Sequence, residues 1–328
     1  MSRKINAAII GLGIGLKHFS AINSVNNSKV VGIYDLDKKK SFLLKAKYSK
    51  LKIFNNENEI FKDKNINLVS IASYDEHHFR QISKCIQKEK NFIIEKPMCT
   101  TKHELKKITS LLKKNKKVKF ISNLPLRTEP IFKYFKEKIK KQIIFHIEAD
   151  YLWGRYKKLF QWRSKSKNYS IINGAAIHMI DIIIWLINDR PTHIFVSSNN
   201  IATINTKFKK NSFSIIILYF KNGLMAKVTA NACSVSPHNH NVSIFSKNFT
   251  LRNDFYDRYI ISKKGKKNLI KIKYPNKNDR HKLITSFIIN LIDQKKPPLM
   301  TMKESLFLSK VCLAGIESEK KNKKIKIL

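Results

Sequence analysis

Glycine is scarce in this chain: nine of 328 residues, where an average usage of about 7% would supply more than twice as many. Acidic side chains are also few, 23 against 65 lysines and arginines, which leaves a formal net charge of +42. Arginine contributes little to that excess, with nine residues against 56 lysines. Base readers lean on arginine and on aromatic platforms, and no arginine-rich or aromatic-interleaved stripe exists here. The lysines are instead spread along the whole chain, as in Lys38, Lys39 and Lys40, or Lys266 and Lys267, which is the pattern of a solvated surface. No specific nucleic-acid partner is expected; stoichiometric, salt-sensitive DNA binding would argue the reverse.

Long apolar runs are missing too. Nowhere do about 18 uncharged apolar residues follow one another, so no membrane insertion is expected. Arg3 and Lys4 ahead of residues 5–16 resemble the start of a leader, but Lys17, His18 and Phe19 follow where a small-x-small cleavage site belongs. The same residues read better as a strand and its turn. The four cysteines (Cys85, Cys99, Cys233, Cys312) are scattered without metal-type pairing, so reduced thiols in a cytoplasmic protein and no metal site are expected. A hydrophobic share of 43% excludes global disorder, and the length favours two domains.

Short apolar runs at 5–10, 30–34, 68–72, 92–94 and 118–121 read as strands. Helical stretches near 15–26, 37–48, 76–89 and 101–115 separate them. This β-α-β alternation predicts an α/β fold with a doubly wound parallel sheet. Beyond residue 122 the texture changes. Helices at 129–139, 174–187, 279–292 and 302–318 accompany strands at 142–151, 193–199, 213–220, 224–232 and 242–245. Strands in succession predict a second α/β domain with an open, mixed, largely antiparallel sheet. The expected division is 1–122 and 123–328.

A third of the glycines, Gly11, Gly13 and Gly15, follow the first strand directly. A glycine turn between a strand and a helix lets a phosphate approach bare N–H groups, so Gly11, Gly13, Ile14 and Gly15 are candidate cofactor contacts. Asp35 ends the second strand, where an acidic side chain binds ribose hydroxyls and repels a 2′-phosphate. NAD(H) is therefore favoured, with NADP(H) an alternative that the nearby lysines keep open. The third glycine stands one place early, since the common pattern puts it where Leu16 is.

Two further motifs complete a recognisable pattern. One is the strand Phe92-Ile93-Ile94 ending in Glu95-Lys96-Pro97. The other is Ser70-Ile71-Ala72-Ser73-Tyr74-Asp75-Glu76-His77-His78. With Gly11–Gly15 and Asp35 they resemble the Gfo/Idh/MocA oxidoreductases, of the glucose–fructose oxidoreductase and inositol dehydrogenase type. The resemblance continues through Asn123 and Arg127, Trp162 and Arg163, and the stretch from Gly174 to Trp185 with His178 and Asp181.

This resemblance implies an NAD(P)-dependent oxidoreductase acting on a carbinol or keto carbon of a sugar, cyclitol or nucleotide-linked sugar. It also implies a homo-oligomer, dimer or tetramer, formed through the second domain's sheet. Lys96 matches the family's active-site lysine and His178 its histidine, with Asp181 three residues on to orient it. Ser73, Tyr74, His78, Glu95 and Lys96 would line the cofactor. Lys96, Arg127, Trp162, Arg163 and His178 would hold the substrate, although domain packing explains Arg127, Trp162 and Arg163 equally well. Many relatives carry Asp four residues before the histidine, where this chain has Gly174. That departure keeps open a non-redox sugar or cofactor binder, and an NAD-assisted glycoside-cleaving enzyme.

Overall fold

A computed structural model describes residues 4–272 and 276–327. The chain forms two compact units, Met1–Thr128 with Asn276–Ser309, and Glu129–Pro275 with Lys310–Leu328.

The first unit opens with β1 (Ile5–Ile10), α1 (Gly15–Asn23), β2 (Ser28–Tyr34), α2 (Lys38–Lys47), β3 (Lys52–Ile53) and α3 (Glu57–Lys62). It continues with β4 (Leu68–Ile71), α4 (Asp75–Gln87), β5 (Asn91–Ile94), α5 (Lys102–Lys114) and β6 (Phe120–Ser122). The strands form one parallel sheet in the order β3-β2-β1-β4-β5-β6. Every residue of β4 and β5 is buried. Helices on both faces demand such unbroken apolar runs rather than alternation. The strand order reverses between β1 and β4, which puts a binding crevice beyond their carboxyl ends. A 3-10 turn, Pro125–Thr128, ends this stretch.

The second unit begins with α6 (Pro130–Lys138), β7 (Ile144–Leu152) and α7 (Trp162–Lys165). A π-helical turn, Ile172–Ala176, then runs straight into α8 (Ile177–Ile187). Strands β8 (His193–Asn199), β9 (Phe213–Tyr219), β10 (Met225–Asn231), β11 (Asn239–Ser246), β12 (Phe249–Asn253), β13 (Arg258–Ser262) and β14 (Lys267–Leu269) follow. After them in the chain come α9 (Lys277–Asp293), which belongs to the first unit, α10 (Met302–Lys321), which begins in the first unit and ends in the second, and β15 (Ile325–Lys326). The second sheet has nine strands in the order β14-β13-β12-β11-β7-β10-β9-β8-β15. Among the described residues only β7 and β10 pair parallel within it; the other described pairs are antiparallel. Residues alternate, with Ile147, Ala149, Ala226, Val228, Ile216 and Leu218 turned to the core. Their neighbours Phe213, Ile215, Ile217 and Met225 stay partly or fully exposed on the other face.

The doubly wound parallel sheet and the open mixed sheet are those the sequence predicts. The division of the chain differs from 1–122 and 123–328 in two places. The first crossing falls after Thr128, and 276–309 return to the first unit. The reason is packing: α9 lies against α1 and the Pro125–Thr128 turn, and the Ser305 hydroxyl accepts the Ser122 N–H at 3.0 Å. Among the described residues no helix is long and apolar enough to cross a membrane.

Candidate functional site

The glycine turn does three separate jobs. Gly11 has φ +90°, and a Cβ there would strike the Ala72 carbonyl. Gly15 starts α1, and its Cβ would sit 2.9 Å from Ile9 Cγ2, so its bareness lets the helix press on the sheet. Gly13 is different. Of the nine glycines it alone has neither a neighbour within 4 Å of its Cβ position nor a positive φ. No described residue crowds its Cβ position, so the space there is open. The helix start agrees. Ile14 at the N-cap offers no side-chain bond and the first turn holds no acid, so no side chain caps the N-terminal N–H groups or neutralises the positive end of the dipole. A dinucleotide's pyrophosphate fits this arrangement.

Asp35 is half-buried and braces the same turn. Its carboxylate accepts the Leu12 N–H at 2.5 Å and the Asp37 N–H at 2.8 Å. The loop after β4 is held from within. Ser73 Oγ donates to Gln81 Oε1 at 2.7 Å. His78 is fully buried, its ring nitrogens 2.7 Å from the Pro97 carbonyl oxygen and 3.1 Å from that of Ser73. Its side chain, expected at the cofactor, thus faces main chain and shapes the loop. Tyr74 is 42% exposed ahead of α4.

Glu95, at the end of β5, is the centre of a buried network that sequence reading missed. Its Oε1 lies 2.9 Å from His18 Nε2 and accepts Asn123 Nδ2 at 2.7 Å. His18, fully buried on α1, has its Nδ1 2.7 Å from Ser70 Oγ on β4. Burial would raise the Glu95 pKa, but the bonds from His18 and Asn123 and the nearby Lys96 charge hold it below the ordinary 4.5. The signal available was a histidine on the apolar face of α1, beside Phe19, Ala21 and Ile22. Lys96 itself is half-buried, and the Lys96–Pro97 peptide is cis.

Arg127 is a candidate both for the substrate and for packing. It is 3% exposed, donating at 2.5 Å to Glu304 and at 3.4 Å to the Leu299 carbonyl. It fastens the turn after β6 to the first turn of α10 and to the segment before it. Burial would raise the Glu304 pKa, but the Arg127 charge and bonds from Thr301 hold it low.

The second unit gathers the remaining candidates. His178 on α8 stacks on Tyr151 of β7, with centroids 5.5 Å apart and planes 13° apart. His238 and His240 meet the same tyrosine edge-on at 5.3 and 4.9 Å. These three residues were also missed. The alternation His238-Asn239-His240 was the available sign, since period two puts both imidazoles on one face. Asp181 is 1% exposed on α8. Arg163 lies 4.4 Å from the Trp162 ring and 5.0 Å from that of Trp153, a cation–π sandwich. Among the described residues no group of three or more His, Cys, Asp or Glu is placed to hold a metal ion.

Residues 5–123 match the GFO/IDH/MocA family model, an oxidoreductase family with an NAD-binding Rossmann fold. Residues 143–252 match the family's C-terminal domain. An uncharacterized oxidoreductase of Synechocystis is 24% identical over 193 residues, 56% of this chain and 52% of its own length. The inositol 2-dehydrogenase/D-chiro-inositol 3-dehydrogenase of Lacticaseibacillus casei is 25% identical over 205 residues, 59% and 56% of the two lengths. The chain thus spans about half the length of the curated relatives it matches. The crystal structure of scyllo-inositol dehydrogenase from Lactobacillus casei, with NAD(H) and scyllo-inositol bound, superposes with TM-score 0.81 at 17% identity, covering 99% of each chain. That is a likeness of fold.

Two outcomes test this geometry. His18→Leu removes a bond to a buried carboxylate and costs about 3 kcal/mol. In the wild type, the stability Glu95 contributes is fully present above its ordinary 4.5 and is lost as pH falls through its lower folded value. Urea unfolding should therefore show the largest gap between the two proteins above pH 4.5, narrowing in acid; a gap constant with pH contradicts the network. Arg127→Leu removes a charged donor from the part-exposed Glu304 carboxylate and should cost about 1–3 kcal/mol in the same assay, with NAD(H) affinity retained.

Proposed function

Because this chain belongs to the GFO/IDH/MocA oxidoreductase family, we propose that it moves a hydride between NAD(H) and a carbinol or keto carbon of a sugar, cyclitol or nucleotide-linked sugar. The observation that carries the reading is the open space at Gly13 before an uncapped α1, braced by Asp35. Asp35 binds the ribose hydroxyls and disfavours a 2′-phosphate, so NAD(H) is the preferred form. When bound, the nicotinamide supplies the hydride acceptor or donor.

The chain's own groups do the rest. Lys96, at the carboxyl end of β5, donates to the reacting oxygen and stabilises the negative charge that builds there as its proton leaves. Glu95, fixed by His18 and Asn123, keeps a carboxylate beside that ammonium and sets its place. His178 takes the proton during oxidation and returns it during reduction, with Asp181 on the same helix orienting it. Trp162 and Arg163 offer a flat cationic surface to a polyol. A second reading, a non-redox sugar or cofactor binder, draws on Gly174, where a carboxylate would otherwise stand.

In the same reading a second copy covers the open face of the nine-stranded sheet. Ile215 and Met225 are 39% and 49% exposed there. Lys227 pairs with Glu148 at 2.7 Å in their midst, which fixes register while neutralising charge.

Purified protein should bind NAD(H), followed by nicotinamide fluorescence. A panel led by inositols, then free and nucleotide-linked sugars, should reveal turnover. Lys96→Met should lower that turnover by about 10²–10⁴-fold with folding and NAD(H) binding intact; full turnover removes Lys96 from the mechanism. NAD(H) binding with no transfer across the panel favours the non-redox reading. Ile217→Glu should convert the assembly to monomer in sedimentation equilibrium, and a monomeric wild type contradicts the sheet interface.

A further inference from the structure

Ser70, His18 and Glu95 form a relay of polar side chains inside the first unit. Ser70 Oγ on β4 lies 2.7 Å from His18 Nδ1, and His18 Nε2 lies 2.9 Å from Glu95 Oε1. Ser70 and His18 are both 0% exposed. Serine, imidazole and carboxylate in this order are the parts of an activated nucleophile, but no substrate reaches a serine enclosed in this way. The relay serves something else.

The direction of its bonds follows from what each atom can do. An ionised carboxylate only accepts, and the bonds from His18 and Asn123 favour that form of Glu95. His18 Nε2 therefore carries a hydrogen. Ser70 has one hydroxyl proton, and among the described residues its Oγ has one partner, His18 Nδ1. A buried hydroxyl places its proton on an acceptor, so Nδ1 takes that bond and bears no hydrogen of its own. The serine thus selects the tautomer of the ring.

We infer that Ser70 and His18 are positioning residues for Lys96: the hydroxyl fixes the ring proton on Nε2, and that N–H holds the Glu95 carboxylate as the counter-ion of the Lys96 ammonium. The inference rests on the proposed reading of Lys96 as the group that meets the reacting oxygen. Lys96 follows Glu95 directly, and its charge acts on that carboxyl. A ring with its proton on Nδ1 would turn a lone pair toward Glu95 and repel it. The groups about Glu95 are His18 from α1, Asn123 from beyond β6, donating at 2.7 Å, and Lys96, with Ser70 of β4 behind the ring.

The test is magnetic resonance of the full-length protein, labelled with nitrogen-15 in its histidine rings and carbon-13 at its lysine Cε atoms. His18→Gln and Lys96→Met identify the two signals. At neutral pH the wild-type His18 ring should show a protonated Nε2 and a bare, hydrogen-bonded Nδ1. The other tautomer, or two protonated nitrogens, overturns the inference, and this reading needs no variant that perturbs folding. Ser70→Ala removes only the hydroxyl. It should mix the His18 tautomers, weaken the negative charge beside Lys96 and lower the Lys96 midpoint by about half a pH unit or more. Ser70→Thr, which keeps the hydroxyl, should restore both. An unchanged Lys96 midpoint in Ser70→Ala overturns the inference. These readouts need no substrate, so they stand apart from any failure to find hydride transfer. Where turnover is found, the pH profile of kcat in Ser70→Ala should move with the Lys96 midpoint while the KM for NAD(H) stays unaltered.

Discussion

The first unit turns on one carboxylate. Glu95 Oε1 accepts Asn123 Nδ2 and lies within hydrogen-bonding reach of His18 Nε2, and His18 also reaches Ser70. The partners come from α1, from β4 and from just past β6, so the network ties together the carboxyl ends of neighbouring strands and the helix that follows the glycine turn. A buried carboxylate without such partners takes up a proton or unfolds its surroundings. With them it stays charged, and the adjacent Lys96 gains a fixed counter-ion. The glycine turn and Lys96 are thereby parts of one rigid assembly, because the helix that starts at Gly15 also carries His18.

Carboxylates are few in this chain, and many are spent as structural acceptors rather than as surface charge. Asp35 holds the Leu12 and Asp37 N–H groups. Asp37 caps α2 and Glu104 completes the capping box of Thr101 on α5, while Glu304 takes both Arg127 and Thr301. Glu95, Glu148 and Glu304 all stay below their ordinary pKa with a cation nearby. In a chain of net charge +42, several of the acids answer more than one donor. That economy explains why removing one partner carries a cost out of proportion to a single bond.

Much of the architecture was legible because the first sheet is buried on both faces. The strands of that sheet read as apolar runs bounded by polar turns, and β1 and the glycine turn fall where the sequence puts them. Elements without such contrast escaped notice. β3 has two residues, too few for any period. β13 has no fully buried residue, so its pattern does not separate core from solvent. The return of 276–309 to the first unit was equally hidden, since an amphipathic helix announces an apolar face but not which surface will cover it. The same holds for the site. Lys96 and Asp35 announced themselves through neighbours in sequence, whereas His18 finds its partners 52, 77 and 105 residues away.

The scarcity of glycine makes each one informative. Gly223 and Gly265 have φ of +87° and +76°, while Gly32 and Gly154 are crowded by Phe54 and by the chain at Ser236. In a sequence that avoids glycine, position 174 is bare for a reason of the same kind: a Cβ there would collide with the Tyr169 phenol. Read only against relatives, Gly174 is a missing acid. Read against its own neighbours, it is a place already filled by the chain's own tyrosine. Gly13 is the opposite case: among the described residues it is bare, unstrained and uncrowded, which leaves room for the cofactor of the proposed function. Together the two glycines separate what the protein supplies for itself from what it must bind.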